Sequence, residues 1–152
     1  MKLYCAVTQF YSAAMSKRDK IHYAVRNALV KDGWEITADP FEIEYEDAVL
    51  RADLAADRTL AAERAGEKIV VEIKSFLSAS PVHELQAAVG QYQMYLMCLE
   101  AVAPEHQLYL ALSEAVWGKL QKLRIAQRFL QRFPARLLIV NLQTEEIVLW
   151  KS

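Results

Sequence analysis

The sequence predicts an α/β domain in which a central mixed β-sheet is flanked by helices. Segments with a 3.6-residue apolar period alternate with short β-prone runs in the order helix, strands, helix, strand, helix, strands. The 152 residues are 54% hydrophobic with only four Gly and four Pro, enough for one buried core, which excludes disorder and collagen-like or linker-rich architectures. No apolar run reaches the roughly 18 residues that a membrane span needs.

The elements follow in order. Ser16 and Asp19 have capping-box spacing and open a helix that ends near Lys31, with Ile21, Val25, Ala28 and Leu29 as its buried stripe and Asp32-Gly33 as its stop. Residues 34–37 read as a strand. Residues 40–47 read as an acidic excursion or hairpin, because Phe41, Ile43 and Tyr45 alternate with Glu42, Glu44 and Glu46. Two strands between 58 and 75 meet at the turn Ala65-Gly66-Glu67, and residues 68–74 are the most β-prone stretch of the chain. Pro81 marks the start of a helix over 82–101, gripped by Leu85, Val89, Tyr92, Leu96 and Leu99. Residues 108–112 form a buried strand. Ser113 caps one long helix to Phe133, which Pro134 stops. Residues 135–142 and 145–151 close the sheet as a pair around Gln143-Thr144.

Composition also bounds function. The net charge of −1 is unlike that of a dedicated nucleic-acid coat protein, so any DNA contact is local. Cys5 and Cys98 lie among apolar neighbours without CxxC spacing, which fits reduced thiols in a cytoplasmic protein. Residues 1–15 read as a leader or alternative-start segment ahead of a single domain over 16–152. There is no GxGxxG or GxxxxGK[ST] phosphate loop and no GxSxG elbow.

The chemistry concentrates around the second β-prone strand. Glu72 and Lys74 stand two apart and share one face, with Ile69, Val71 and Ile73 on the other. A carboxylate beside an ammonium suits phosphodiester hydrolysis, the Glu holding a divalent metal and the Lys orienting water or steadying phosphorane charge. A second carboxylate is required. Asp53 is the first candidate and Glu63, on the neighbouring strand, the second, with a backbone carbonyl near Ile73 as a further oxygen ligand. On the following helix Glu84, Ala88, Gln91 and Tyr95 form one stripe, either an ordinary polar seam or groups that orient a phosphate or the lysine.

Asp53, then Glu72-Ile73-Lys74, then a helix bearing Gln91-x-x-x-Tyr95, resembles the PD-(D/E)XK nuclease superfamily, in its variant with a Gln-x-x-x-Tyr helix. The segments 18–22, 28–34, 61–63, 66–76 and 90–92 are similar to the XisH family, the cyanobacterial fdxN element excision controlling factors. The resemblance implies a restriction-endonuclease-like core and a role in programmed DNA excision, with DNA, a site-specific recombinase and an XisI-like companion as partners. Asp53, Glu72, Lys74 and Gln91 become the expected catalytic set, and Asp53, Glu72 and Glu63 the expected ligands of Mg2+ or Mn2+. Asp53 follows Ala rather than Pro, a departure from the superfamily pattern.

Three further groups enter the expectations. Arg124, Arg128 and Arg132 recur every four residues, as a DNA-backbone ridge or a solvated face, opposite Leu120, Leu123, Phe129, Leu130 and Phe133. His22 shares a helix face with Asp19 and Arg26 and is, with Tyr95, a secondary site candidate. His83 and His106 have no partner at ligand spacing. The competing expectation to a nuclease is an accessory protein that binds XisI and the recombinase machinery without turnover; the weakest is a homo-oligomer joined through the acidic hairpin and the Arg ridge.

Overall fold

A computed structural model describes residues 16–46, 48–50 and 59–152. The expected leader, Cys5 and Asp53 lie outside the described residues.

Ser16 caps α1 (Lys17–Lys31) with the reciprocal Ser16–Asp19 box, and its buried face is Ile21, His22, Ala24, Val25, Ala28 and Leu29. After Gly33, at φ +89°, the chain enters β1 (Glu35–Ala38). The acidic segment is a true hairpin strand: β2 (Ile43–Tyr45) pairs antiparallel with β3 (Ala48–Leu50) in a separate two-stranded sheet. The central hairpin joins β4 (Thr59–Arg64) to β5 (Glu67–Ile73) through Ala65 and Gly66, both at positive φ. Two consecutive left-handed residues are what a tight type I′ connection requires.

Ser80 caps and Pro81 opens α2 (Pro81–Val102). Of the five residues expected to grip the sheet, Leu85, Val89, Tyr92 and Leu99 are buried, and Leu96 is half-buried. Then comes β6 (His106–Ser113), parallel to β5.

The expected single helix to Phe133 is instead two helices, α3 (Glu114–Gln121) and α4 (Arg124–Arg132). Neither Gly nor Pro stands at the break. Leu120 and Ala126 are each 1% exposed, yet positions six apart in one straight helix point about 120° away from each other. Breaking at Lys122-Leu123 lets both reach the core, and the Gln127 side chain donates to the freed carbonyl of Gln121. Phe133, expected on the buried side, is exposed, its ring tilted against that of Phe129 at 5.2 Å between centroids.

The last strands, β7 (Leu137–Asn141) and β8 (Glu146–Lys151), pair antiparallel with an irregularity between Ile139 and Val140. The six-stranded sheet has the order β1-β4-β5-β6-β7-β8, antiparallel at both ends and parallel in the middle. Period-2 alternation divides its core. Ile69, Val71 and Ile73 pack toward α1 with Leu60, Ala62 and Tyr109, while Val70 packs toward α2 with Leu108, Leu110 and Leu137. Strands buried on both faces, such as β5 and β6, need helices on both sides, and the fold supplies them. Glu72 shares its face with Val70 and therefore lies under α2.

Candidate functional site

Thr59, the first residue of β4, is the register partner of Glu72 near the end of β5. Hydrophobic neighbours above and below fix that register, since a slip by one residue would turn Glu72 into the α1 side of the core. Glu72 is 2% exposed and Lys74 7%. Buried charges survive only when paired, and Lys74 Nζ lies 3.4 Å from Glu72 Oε1. The Lys74 ammonium also donates to Oε1 of Gln91 on α2. Its backbone N–H bonds to the carbonyl of Ala111 at 3.1 Å, which holds the residue in line with β6 just past the end of β5.

The strand alternation that puts Glu72 and Lys74 on one face, and the helical spacing that turns Gln91 down, thus bring three of the expected site residues into one contact chain. Tyr95 follows one turn along, 7% exposed. Burial raises its phenol above the ordinary value of 10.0, Thr59 as hydrogen-bonding neighbour counteracts this, and the Glu72 carboxylate raises it further. Tyr92, one residue beyond Gln91 and on the core side, is also raised by burial; its hydroxyl donates to the Leu108 carbonyl at 3.0 Å and accepts from the Arg136 N–H at 3.2 Å.

These raised values set the direction of an alkaline response. Between the unfolded phenol pKa and the higher folded one, the unfolded chain holds fewer protons, so stability present below pH 10 is lost as pH rises through the folded values. Urea midpoints measured from neutral to alkaline pH are expected to fall in that window, and Tyr95→Phe to make the fall shallower. An unchanged slope in Tyr95→Phe counts against the placement of this phenol.

The register separates Glu63 from the site. Glu63 pairs with Lys68, four residues along β5 from Glu72 and thus about 13 Å away at a strand rise of 3.3 Å. Oxygen ligands near 2.0 to 2.6 Å cannot span about that distance to share a cation, so the second expected carboxylate is displaced. The period-2 pattern indicates a neighbouring strand but not its register. Among the described residues no group of three His, Cys, Asp or Glu side chains could by itself hold a metal ion.

His22 serves another contact. Its Nε2 lies 2.8 Å from Asp39 Oδ2, which also accepts from Arg26 at 2.5 Å, so His22 ties α1 to the end of β1. Asp19, expected beside it, is used in the helix cap. Arg124, Arg128 and Arg132 are all exposed on α4. Arg18, which no sequence pattern singles out, lines a cleft of about 160 Å³ with Lys74, Ser75, Leu77, Glu84 and Gln91. No periodicity signals it, because it sits at the start of a helix belonging to the opposite face.

Comparison with known proteins supplies a frame for this geometry. The family model described as XisH protein matches residues 15–148. A crystal structure of an XisH family protein from Nostoc punctiforme PCC 73102 is similar at TM-score 0.80 and 36% identity, over 88% of this chain and 100% of that one. A crystal structure of a fdxN element excision controlling factor protein from Anabaena variabilis is similar at TM-score 0.79 and 34% identity, over 88% of this chain and 99% of that one. No curated protein matches the chain. No helix among the described residues is long and apolar enough to cross a membrane.

Proposed function

The chain belongs to the XisH family, and from that premise we propose that it acts in controlled excision of DNA elements through a PD-(D/E)XK-type site for metal-dependent phosphodiester hydrolysis. The observation that carries the reading is the buried Lys74 ammonium held between the Glu72 carboxylate on its own strand and the Gln91 amide on the covering helix. A merely structural pair at this depth gains little over apolar residues of the same size, so its presence at the open end of β5, with Lys74 lining a cleft, favours a chemical role.

Glu72 fits a hard divalent cation such as Mg2+ or Mn2+: it is an oxygen donor, buried, and adjacent to the cleft that Lys74 lines. Together with Asp53 it would hold the ion. A bound cation supplies charge neutralisation and an activated water to the reaction. Lys74 holds a positive charge where the phosphoryl oxygens gain negative charge, and a donor already in place needs no reorganisation during reaction. Gln91 fixes the direction of that ammonium. Thr59, its cross-strand partner, and Tyr95, whose phenol feels its charge, are buried neighbours of Glu72. The exposed Arg124, Arg128 and Arg132 ridge supports a salt-sensitive contact to the DNA backbone.

The test is incubation with duplex, single-stranded and branched DNA in Mg2+ or Mn2+, comparing wild type with Lys74→Ala and Asp53→Asn. Asp57→Asn belongs in the series because Asp57 precedes Thr59 by two positions in the sequence, and Thr59 is the register partner of Glu72. Metal-dependent cutting that vanishes in Lys74→Ala is the expected result. Cutting that survives the substitution, or that needs no metal, rejects the site. Absence of cutting alongside retained binding to an XisI-like protein and a recombinase would favour the accessory role.

A further inference from the structure

We propose that Arg18 is a phosphate-contact residue, holding the non-bridging oxygens of the DNA phosphodiester that enters the cleft beside Lys74; this rests on the reading of that cleft as a phosphodiester site. The other described residues around the Lys74 ammonium come from β4, β5 or α2. Arg18 comes from the first turn of α1, which packs on the opposite face of the sheet. The two sides meet where β5 ends, and there Arg18, Lys74 and Gln91 line one cleft.

The charges of that cleft are unbalanced. Glu84 is its one described carboxylate, and its Oε1 accepts the Ser78 N–H at 3.0 Å. Lys74 is occupied by Glu72 and Gln91. Arg18 is exposed, lines the cleft and makes no ion pair among the described residues, which leaves its donor fork available to a ligand. A planar fork of N–H donors matches two oxygens of one phosphate, where a lysine acts as a point charge. The volume of about 160 Å³ is below the roughly 300 Å³ at which sites for drug-sized ligands begin, and suits a single phosphate group with its water.

The experiment measures DNA binding by full-length protein with Ca2+ in place of Mg2+, across a salt series, and cleavage separately in Mg2+ and Mn2+. Arg18→Ala is expected to weaken binding about tenfold at low salt, and to reduce the slope of log affinity against log salt by about 0.9 for duplex DNA, one phosphate contact. Arg18→Lys is expected to keep the slope and to recover only part of the affinity. A purely structural Arg18 moves neither the slope nor its rescue by lysine. Unchanged affinity and slope in Arg18→Ala, with cleavage still dependent on Lys74, overturns the phosphate contact and leaves the nuclease reading standing. A changed slope in a protein that never cuts supports the contact and overturns the hydrolysis. A wild type that binds no DNA overturns both.

Discussion

Lys74→Met is expected to lower the free energy of unfolding by about 3 kcal/mol or more, and adding Glu72→Gln to restore most of that loss. The two side chains are 9% and 2% exposed and their charged atoms lie 3.4 Å apart. Removing the ammonium leaves a carboxylate with almost no water to solvate it, and breaking such a pair from one side costs roughly 3 to 5 kcal/mol. Removing both charges is far milder, since neutral groups of similar shape need no desolvated counterion. The measurement is a double-mutant cycle by urea unfolding of the wild type, both single variants and the double variant. Effects that add to within about 0.5 kcal/mol would show that the pair does not interact. Cleavage separates from stability in the same set, because the restored double variant is expected to remain inactive. A buried pair whose joint removal costs the fold little, while activity is lost, contributes chemistry more than packing.

Much of this was legible in the sequence because it depends on periodicity. The 2-residue period of residues 68–74 placed Glu72 and Lys74 on one face, and the 3.6-residue period of α2 placed Gln91 and Tyr95 above them. Caps and breakers were equally local: Ser16 and Ser113 each accept a backbone N–H at a helix start, and Pro81 opens α2. What was not legible depends on long-range geometry. Strand alternation alone does not distinguish Glu63 opposite Lys68 from Glu63 opposite Glu72; the length of the turn at Ala65-Gly66 sets that register. The break at Lys122-Leu123 has no breaker residue and follows from the need to bury Leu120 and Ala126 together. His22 reads as a site group until Asp39, seventeen residues on, claims it. Arg18 reads as an ordinary surface cation until the end of β5 brings α1 and α2 to one cleft.

Gln91→Leu separates the positioning of Lys74 from the packing of α2. Gln91 is exposed on the rim of the cleft, with Oε1 accepting from the Lys74 ammonium, while Leu85, Val89, Tyr92 and Leu99 hold the helix to the sheet. Each of those buried side chains contributes about 1.5 to 3 kcal/mol, so the orientation of α2 does not depend on Gln91. Water at the rim can take over the amide's bond to the ammonium, and the stability of Gln91→Leu is expected to stay within about 1 kcal/mol of wild type. Activity responds differently. An ammonium free to swing by about 1 Å loses its fixed aim at the reacting phosphate, and a misplacement of that size costs on the order of a hundredfold in rate. The loss is expected in kcat, with DNA affinity in Ca2+ nearly unchanged, because Gln91 acts through Lys74 rather than on the DNA. Gln91→Glu offers Lys74 an oxygen of the same reach, and is expected to recover part of the rate despite its added negative charge beside DNA. Full activity in a folded Gln91→Leu protein would show that Glu72 alone orients Lys74 and that Gln91 is a surface residue of α2.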